Sequence, residues 1–182
     1  QQYIYVVEAN ITLPNGLTIP LMTEYLCRET NEMIDTPDKQ DSETTAFERL
    51  AERLKKHFPR LKMMFFMDAM FATQPMMELL HNNHWESVIK LPKRKLTDLA
   101  KLLNQNKPTK QPIPNQPAYR KRSQEFYWQN DIPYGCEWDL TIRLVGCLEE
   151  YQEVDKKTAE IVDRYVEHAW ISSIKINIHN VH

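Results

Sequence analysis

The chain has 182 residues, enough to bury a substantial core, and a net charge of −2 at neutral pH. Only 3 Gly against 11 Pro argues against a glycine-rich nucleotide loop, and no GxGxxG or Walker-type motif occurs. Cys27, Cys136 and Cys147 are odd in number and widely spaced, which points to reduced intracellular thiols rather than a disulfide framework or a zinc site.

No apolar run reaches membrane-spanning length and nothing at the start reads as a signal peptide, so a cytoplasmic protein without a membrane partner is expected. The chain opens on Gln-Gln-Tyr without an initiator Met and runs directly into strand-like residues, as expected of a fragment of a longer protein.

In chain order, residues 3–11 and 17–26 are rich in β-branched and aromatic residues and flank Pro14-Asn15-Gly16. This predicts an antiparallel hairpin whose loop is lengthened by Pro14. Residues 28–40 are polar and read as a loop. Asp41 or Ser42 caps a helix continuing to about His57, in which Phe47, Leu50, Ala51 and Leu54 form one stripe against a sheet. Pro59 ends it.

Residues 63–67 are apolar without a break and end on Asp68, the pattern of a central strand buried on both faces. Thr73 and Pro75 then mark the start of a helix to about residue 83, and residues 85–91 read as the next strand. The order strand, strand, helix, strand, helix, strand gives a mixed sheet, with later strands joined by helical crossovers. A short helix over 96–103 precedes a stretch holding Pro108, Pro112, Pro114 and Pro117, read as an extended connector. Residues 123–130 and 137–148 read as strands around Pro133-Tyr134-Gly135, with Arg143 between Ile142 and Leu144 keeping the alternation. Residues 155–165 read as loop or short helix, and 166–178 as a last strand.

Charge is unevenly spread along these elements. Across residues 90–122 ten basic side chains meet the one acid Asp98, a net of +9, which leaves −11 for the remainder. Lys90, Lys93, Arg94, Lys95, Arg120, Lys121 and Arg122 are the candidate contacts to a polyanion; the plainer reading is a solvated basic loop.

A mixed sheet of this order with an acid at the end of its central strand is the layout of an RNase H-like core. Such enzymes hold two divalent cations between carboxylates to drive in-line displacement at phosphorus, and hard cations such as Mg²⁺ or Mn²⁺ take oxygen ligands. Asp68 has the residue type and position of one such ligand, or it caps the following turn. Asp38-Lys39-Gln40-Asp41-Ser42-Glu43, Ala46, Arg49-Leu50, Phe58-Pro59-Arg60-Leu61, Met67-Asp68-Ala69-Met70-Phe71-Ala72 and Asn83-His84-Trp85 together resemble bacterial insertion-sequence transposases of the DDE type. The group in question carries a β-rich insertion before its third acid. The resemblance covers residues 1–95 and extends more loosely over the later strands.

It implies residues 1–103 as a partial RNase H-like catalytic core, 104–118 as connector and 119–182 as β-rich insertion. It also implies Mg²⁺-dependent DNA cleavage and transfer in cut-and-paste transposition, with Asp68 the second acid and a metal ligand. The first acid would precede Tyr3 and the third would follow His182, so the chain alone is expected to be inactive. The implied partners are transposon ends, target DNA and a second copy of the protein, in a bacterial, nucleoid-associated setting, with no small-molecule substrate. Another RNase H-like nuclease and a non-catalytic DNA-binding remnant remain the alternatives.

Other polar residues have plainer readings beside the chemical ones. Glu160 and Glu167 are the late candidates for the third acid, but their surroundings do not match the third-acid helix. Gln40, Asp41 and Glu43 fit the family pattern, while Asp41 also suits a cap and Glu43 a first helical turn. His81 and His84 have a metal-compatible i, i+3 spacing but no third ligand nearby in sequence. Trp85, Trp128, Trp138 and Trp170 suit either base stacking or core; Tyr127 and Trp128, beside Arg120-Lys121-Arg122, are the stacking candidates.

Overall fold

The computed structural model describes residues 4–26, 42–91, 109–112, 122–134, 140–155, 157, 159–177 and 179–180. The chain divides into two compact units, Gln1–Leu61 and Lys62–His182. The expected loop over 28–40, the helix over 96–103 and the Asp41 cap lie outside the described residues, as does residue 178 of the expected last strand.

In the first unit, β1 (Val6–Thr12) and β2 (Thr18–Tyr25) form the expected antiparallel hairpin. Its turn closes through Gly16 at φ 83°, a left-handed conformation that glycine adopts without a Cβ clash. The register slips between Ala9 and Asn10, where Pro20 interrupts the ladder of β2. Helix α1 (Glu43–His57) starts on Ser42, whose side chain accepts from the Thr45 N–H, and Lys55, Lys56 and His57 complement its carboxyl end. Ala46, Phe47, Leu50, Ala51 and Leu54 are buried, and each large side chain among them contributes about 1.5–3 kcal/mol. Two arginines tie the helix to the hairpin. Arg49 Nε lies 3.0 Å from the Glu24 carboxylate, and Arg53 donates to the same carboxylate and to the Thr23 carbonyl. Together they hold the Glu24 carboxyl below the ordinary glutamate range, Arg53 contributing most.

The second unit is a six-stranded mixed sheet. Its strands are β3 (Met64–Met67), β4 (Glu86–Lys90), β5 (Thr109–Pro112), β6 (Arg122–Tyr134), β7 (Leu140–Val154) and β8 (Ile161–Ser172). The spatial order is β3-β4-β8-β7-β6-β5. Only β3 and β4 are parallel, joined through a one-turn 3-10 helix (Ala69–Phe71) and α2 (Gln74–Asn82). The apolar side of α2, with Met76, Met77 and Leu80, is buried together with Trp85 and Ile89. A second cluster, Trp128, Val145 and Ile176, lies further along the sheet with Phe126 and Trp170 against it. No helix among the described residues is long and apolar enough to cross a membrane.

The mixed α/β class agrees with the expectation, but several details differ. Among the described strands β3 stands at an edge rather than at the centre, and only one of its faces is covered: Phe66 is 77% exposed. β1 and β2 pair only with each other, in a sheet of their own. Thr73 occupies the N-cap of α2 without a side-chain bond, leaving Pro75 as the effective start signal. Part of the proline-rich stretch is β5. Pro133 and Tyr134 belong to β6, which bulges after Gln129 at Asp131 (φ 57°) and so carries the strand past the expected turn. β8 begins at Ile161, inside the expected loop, and ends at Ser172.

Candidate functional site

Asp68 follows β3 directly. Its backbone is extended, and its Oδ1 accepts from the Ala69 N–H at 2.7 Å, so one oxygen caps the 3-10 turn. The carboxylate is exposed at the carboxyl rim of the parallel β3–β4 pair, with its other oxygen directed to no hydrogen bond among the described residues. The capping and ligand readings are therefore compatible. Met67 pairs with Ile89, so Lys90, the exposed last residue of β4, stands level with Asp68 at the same rim of the β3–β4 pair. In open sheets this rim is where ligands collect.

The remaining DNA-contact candidates are only partly described. Lys93, Arg94, Lys95, Arg120 and Lys121 lie outside the described residues, and of Arg122 only the backbone is placed, opposite Tyr151. Lys90 pairs with Trp170, whereas the Arg122–Tyr151 pair continues to Arg164, six positions earlier on β8. At strand spacing this puts the two ends of the basic segment roughly 20 Å apart along the sheet. β6, β7 and β8 extend as an arm past the Asp68 rim. Its exposed carboxylates are largely partnered: Arg164 with Glu153, Gln152 with Asp163, and Tyr127 with Glu167.

The residues proposed for base stacking are committed elsewhere. Trp85 and Trp128 are buried, Trp170 packs on the Trp128 cluster, and Trp138 is outside the described residues. Tyr127 lies flat across Gly146 of the neighbouring strand and donates its hydroxyl to Glu167 two strands away. Burial, followed by this hydrogen bond, pushes the Tyr127 phenol far above its ordinary value. Glu167 thus has a structural partner, and Glu160 precedes β8 in a turn rather than standing on a helix.

No group of three His, Cys, Asp or Glu among the described residues could hold a metal ion. The described residues therefore do not fit a complete Mg²⁺ or Mn²⁺ site, and no reaction step follows from them. Cys147 is buried beside Glu149, and burial first, then that carboxylate, pushes its thiol up to about 11, which suits packing rather than nucleophilic attack.

A cavity of about 400 Å³ opens at the other end of the strands, lined by α2, the start of β4, the start of β7 and Ser173. Its polar wall is Arg143, Glu86, His81 and His84. The sequence gives Arg143 only as part of an alternation. The i, i+3 spacing of His81 and His84 is the sequence signal that falls on this wall, and the structure adds that His84 has a left-handed backbone (φ 58°) at the C′ position where glycine is usual.

No protein-family model matches the chain, and neither a curated protein nor a solved structure matches it.

Proposed function

We propose that the chain is part of a DDE-type DNA transposase with an RNase H-like core, in which Asp68 supplies one carboxylate of a divalent-metal site and the basic segment from Lys90 to Arg122 holds DNA phosphates. The observation that carries this reading is the exposed Asp68 carboxylate at the carboxyl rim of a parallel strand pair, beside Lys90. The charge segregation along the sequence supports it, as does the ordered set of short motifs over residues 1–95. The other two acids belong, on this reading, to segments flanking the chain, and residues 1–182 bind DNA without cutting it.

Fluorescence anisotropy with a short duplex tests the DNA contact. If the seven basic residues each neutralise one phosphate, log K falls with log salt at a slope of about −6. Glutamate at positions 93, 94 and 95 should flatten the slope by about 3. Salt-independent binding, or none at low salt, overturns the assignment. In a longer form carrying both flanks, Asp68→Asn should abolish strand cleavage; unchanged cleavage removes Asp68 from the metal site. Cutting without joining to target DNA would favour a plain RNase H-like nuclease. The other reading is a non-catalytic DNA-binding remnant, in which the salt slope persists and no flank restores cleavage.

A further inference from the structure

We propose that the cavity walled by Arg143 and Glu86 is a binding site for a small zwitterion with an apolar body, of the chemical class of a free aliphatic α-amino acid. The cavity belongs to the amino end of β4, whereas Asp68 lies at the carboxyl end of the β3–β4 pair, so the two sites do not overlap. Its floor is Met77, Leu80 and Ile142, all buried, which suits an aliphatic side chain.

Above that floor stand two opposite charges fixed on either side of one residue. Arg143 Nη1 donates to the Ser173 carbonyl at 2.7 Å and to the Thr141 carbonyl at 3.1 Å, which sets the plane of the guanidinium. Ser173 Oγ donates to the Glu86 carboxylate and accepts from the Ser87 N–H at 2.8 Å, while the Ser173 N–H bonds the Ser87 carbonyl. Ser173 therefore bridges a cation and an anion, its carbonyl accepting from Arg143 and its hydroxyl donating to Glu86. Asp131 approaches Arg143 to 3.7 Å from the bulge of β6, but it is 64% exposed and screened by solvent.

A lone anion in this cavity meets Glu86 and a lone cation meets Arg143. A ligand carrying both charges satisfies both walls, its carboxylate on the guanidinium and its ammonium on Glu86. His81 and His84 add two imidazoles at the same mouth, one of them on a backbone conformation that a β-carbon disfavours.

Isothermal calorimetry and amide chemical-shift titration of the whole chain test this with L-leucine, leucine methyl ester (cation only) and N-acetyl-leucine (anion only). Leucine should bind saturably, with shifts at Ser87, Thr141 and Ser173, and each single-charge analogue at least about tenfold more weakly. Glu86→Gln, an exposed and fold-neutral change, should weaken leucine about tenfold and leave N-acetyl-leucine unaffected or improved. His84→Gly, which suits the local backbone, should weaken leucine several-fold in a chain that remains folded. Equal binding of either analogue, indifference to Glu86→Gln, or no saturable shift up to about 50 mM leucine overturns the proposal.

Discussion

Gly146 is the position at which a single methyl group should do most damage to the sheet. A Cβ built there falls inside the van der Waals envelope of Cζ, Cε2 and Oη of Tyr127, so in Gly146→Ala the ring must leave the groove it lies in. Removing a half-buried tyrosine ring from about 80–100 Å² of apolar contact costs about 2 kcal/mol. Loss of the hydroxyl bond to the solvent-exposed Glu167 adds about 1 kcal/mol. Replacing a strand glycine returns about 0.5–1 kcal/mol through the unfolded chain. The net expectation is a destabilisation of about 2 kcal/mol, read from the urea midpoint at unchanged m-value.

Tyr127→Ala provides the decisive background for the same substitution. There Gly146→Ala should be neutral or slightly stabilising, giving a coupling energy of about 2 kcal/mol in the double-mutant cycle. Because the folded-state phenol is raised above its unfolded value, the stability it contributes is present below about pH 10 and is lost as pH rises through the folded value. In Gly146→Ala, alkaline titration by tyrosinate absorbance should therefore show one late-ionising phenol moving down toward the others. A neutral Gly146→Ala in the parent chain, or an equal effect in both backgrounds, would refute the idea that Tyr127 is seated on the glycine.

Two further outcomes test the remaining structure. The Glu24 carboxyl is depressed by Arg53 and Arg49, so its contribution is present above the ordinary glutamate pKa and disappears as pH falls through the folded value. Glu24→Gln should cost about 1 kcal/mol near pH 7 and progressively less as pH falls below the ordinary glutamate pKa and through the folded value, and a pH-independent cost would contradict the clasp. On β3, Phe65 packs against Trp85 with ring centroids 5.1 Å apart, whereas Phe66 is 77% exposed. Phe65→Ala should cost about 2–3 kcal/mol and Phe66→Ser less than about 1; a cost for Phe66→Ser of about 3 or more would return β3 to the interior of a sheet.

Elements whose signals are local were legible in the sequence. Ser42, the stripe Phe47-Leu50-Ala51-Leu54 and Pro59 define α1 almost to the residue, and Asn15-Gly16 defines the hairpin. β5 was not, because a four-residue Thr-Lys-Gln-Pro strand has no apolar alternation and is held through backbone pairing with β6. The start of β8 was hidden by Asp163 and Arg164, charges that look like loop until the register sets Asp163 across from Gln152 and Arg164 across from Tyr151, within reach of Glu153 two residues along the same strand. Asp68 could be found because strand, acid and helix start are contiguous. The cavity could not, since Leu80, Arg143 and Ser173 meet only through the β4-β8-β7 order, which no local pattern encodes.

β3 holds the most informative disagreement. An uninterrupted Met-Phe-Phe-Met run is written for apolar neighbours on both faces, yet it stands at one edge of the sheet with Phe66 toward solvent. The opposite edge strand, β5, contains Lys110 and Pro112, a residue pair that discourages further pairing because proline has no N–H to offer. No charge or proline falls within Met64–Met67 to do the same for β3. Among the described strands one edge is thus blunted and the other is left able to accept a strand. On the proposed function, the first acid of the triad is itself carried on a strand outside residues 1–182. If that strand pairs with β3, the pairing closes the open edge, puts a cross-strand side chain beside Phe66 and sets a second carboxylate beside Asp68. The exposed apolar edge and the lone acid then have one common origin.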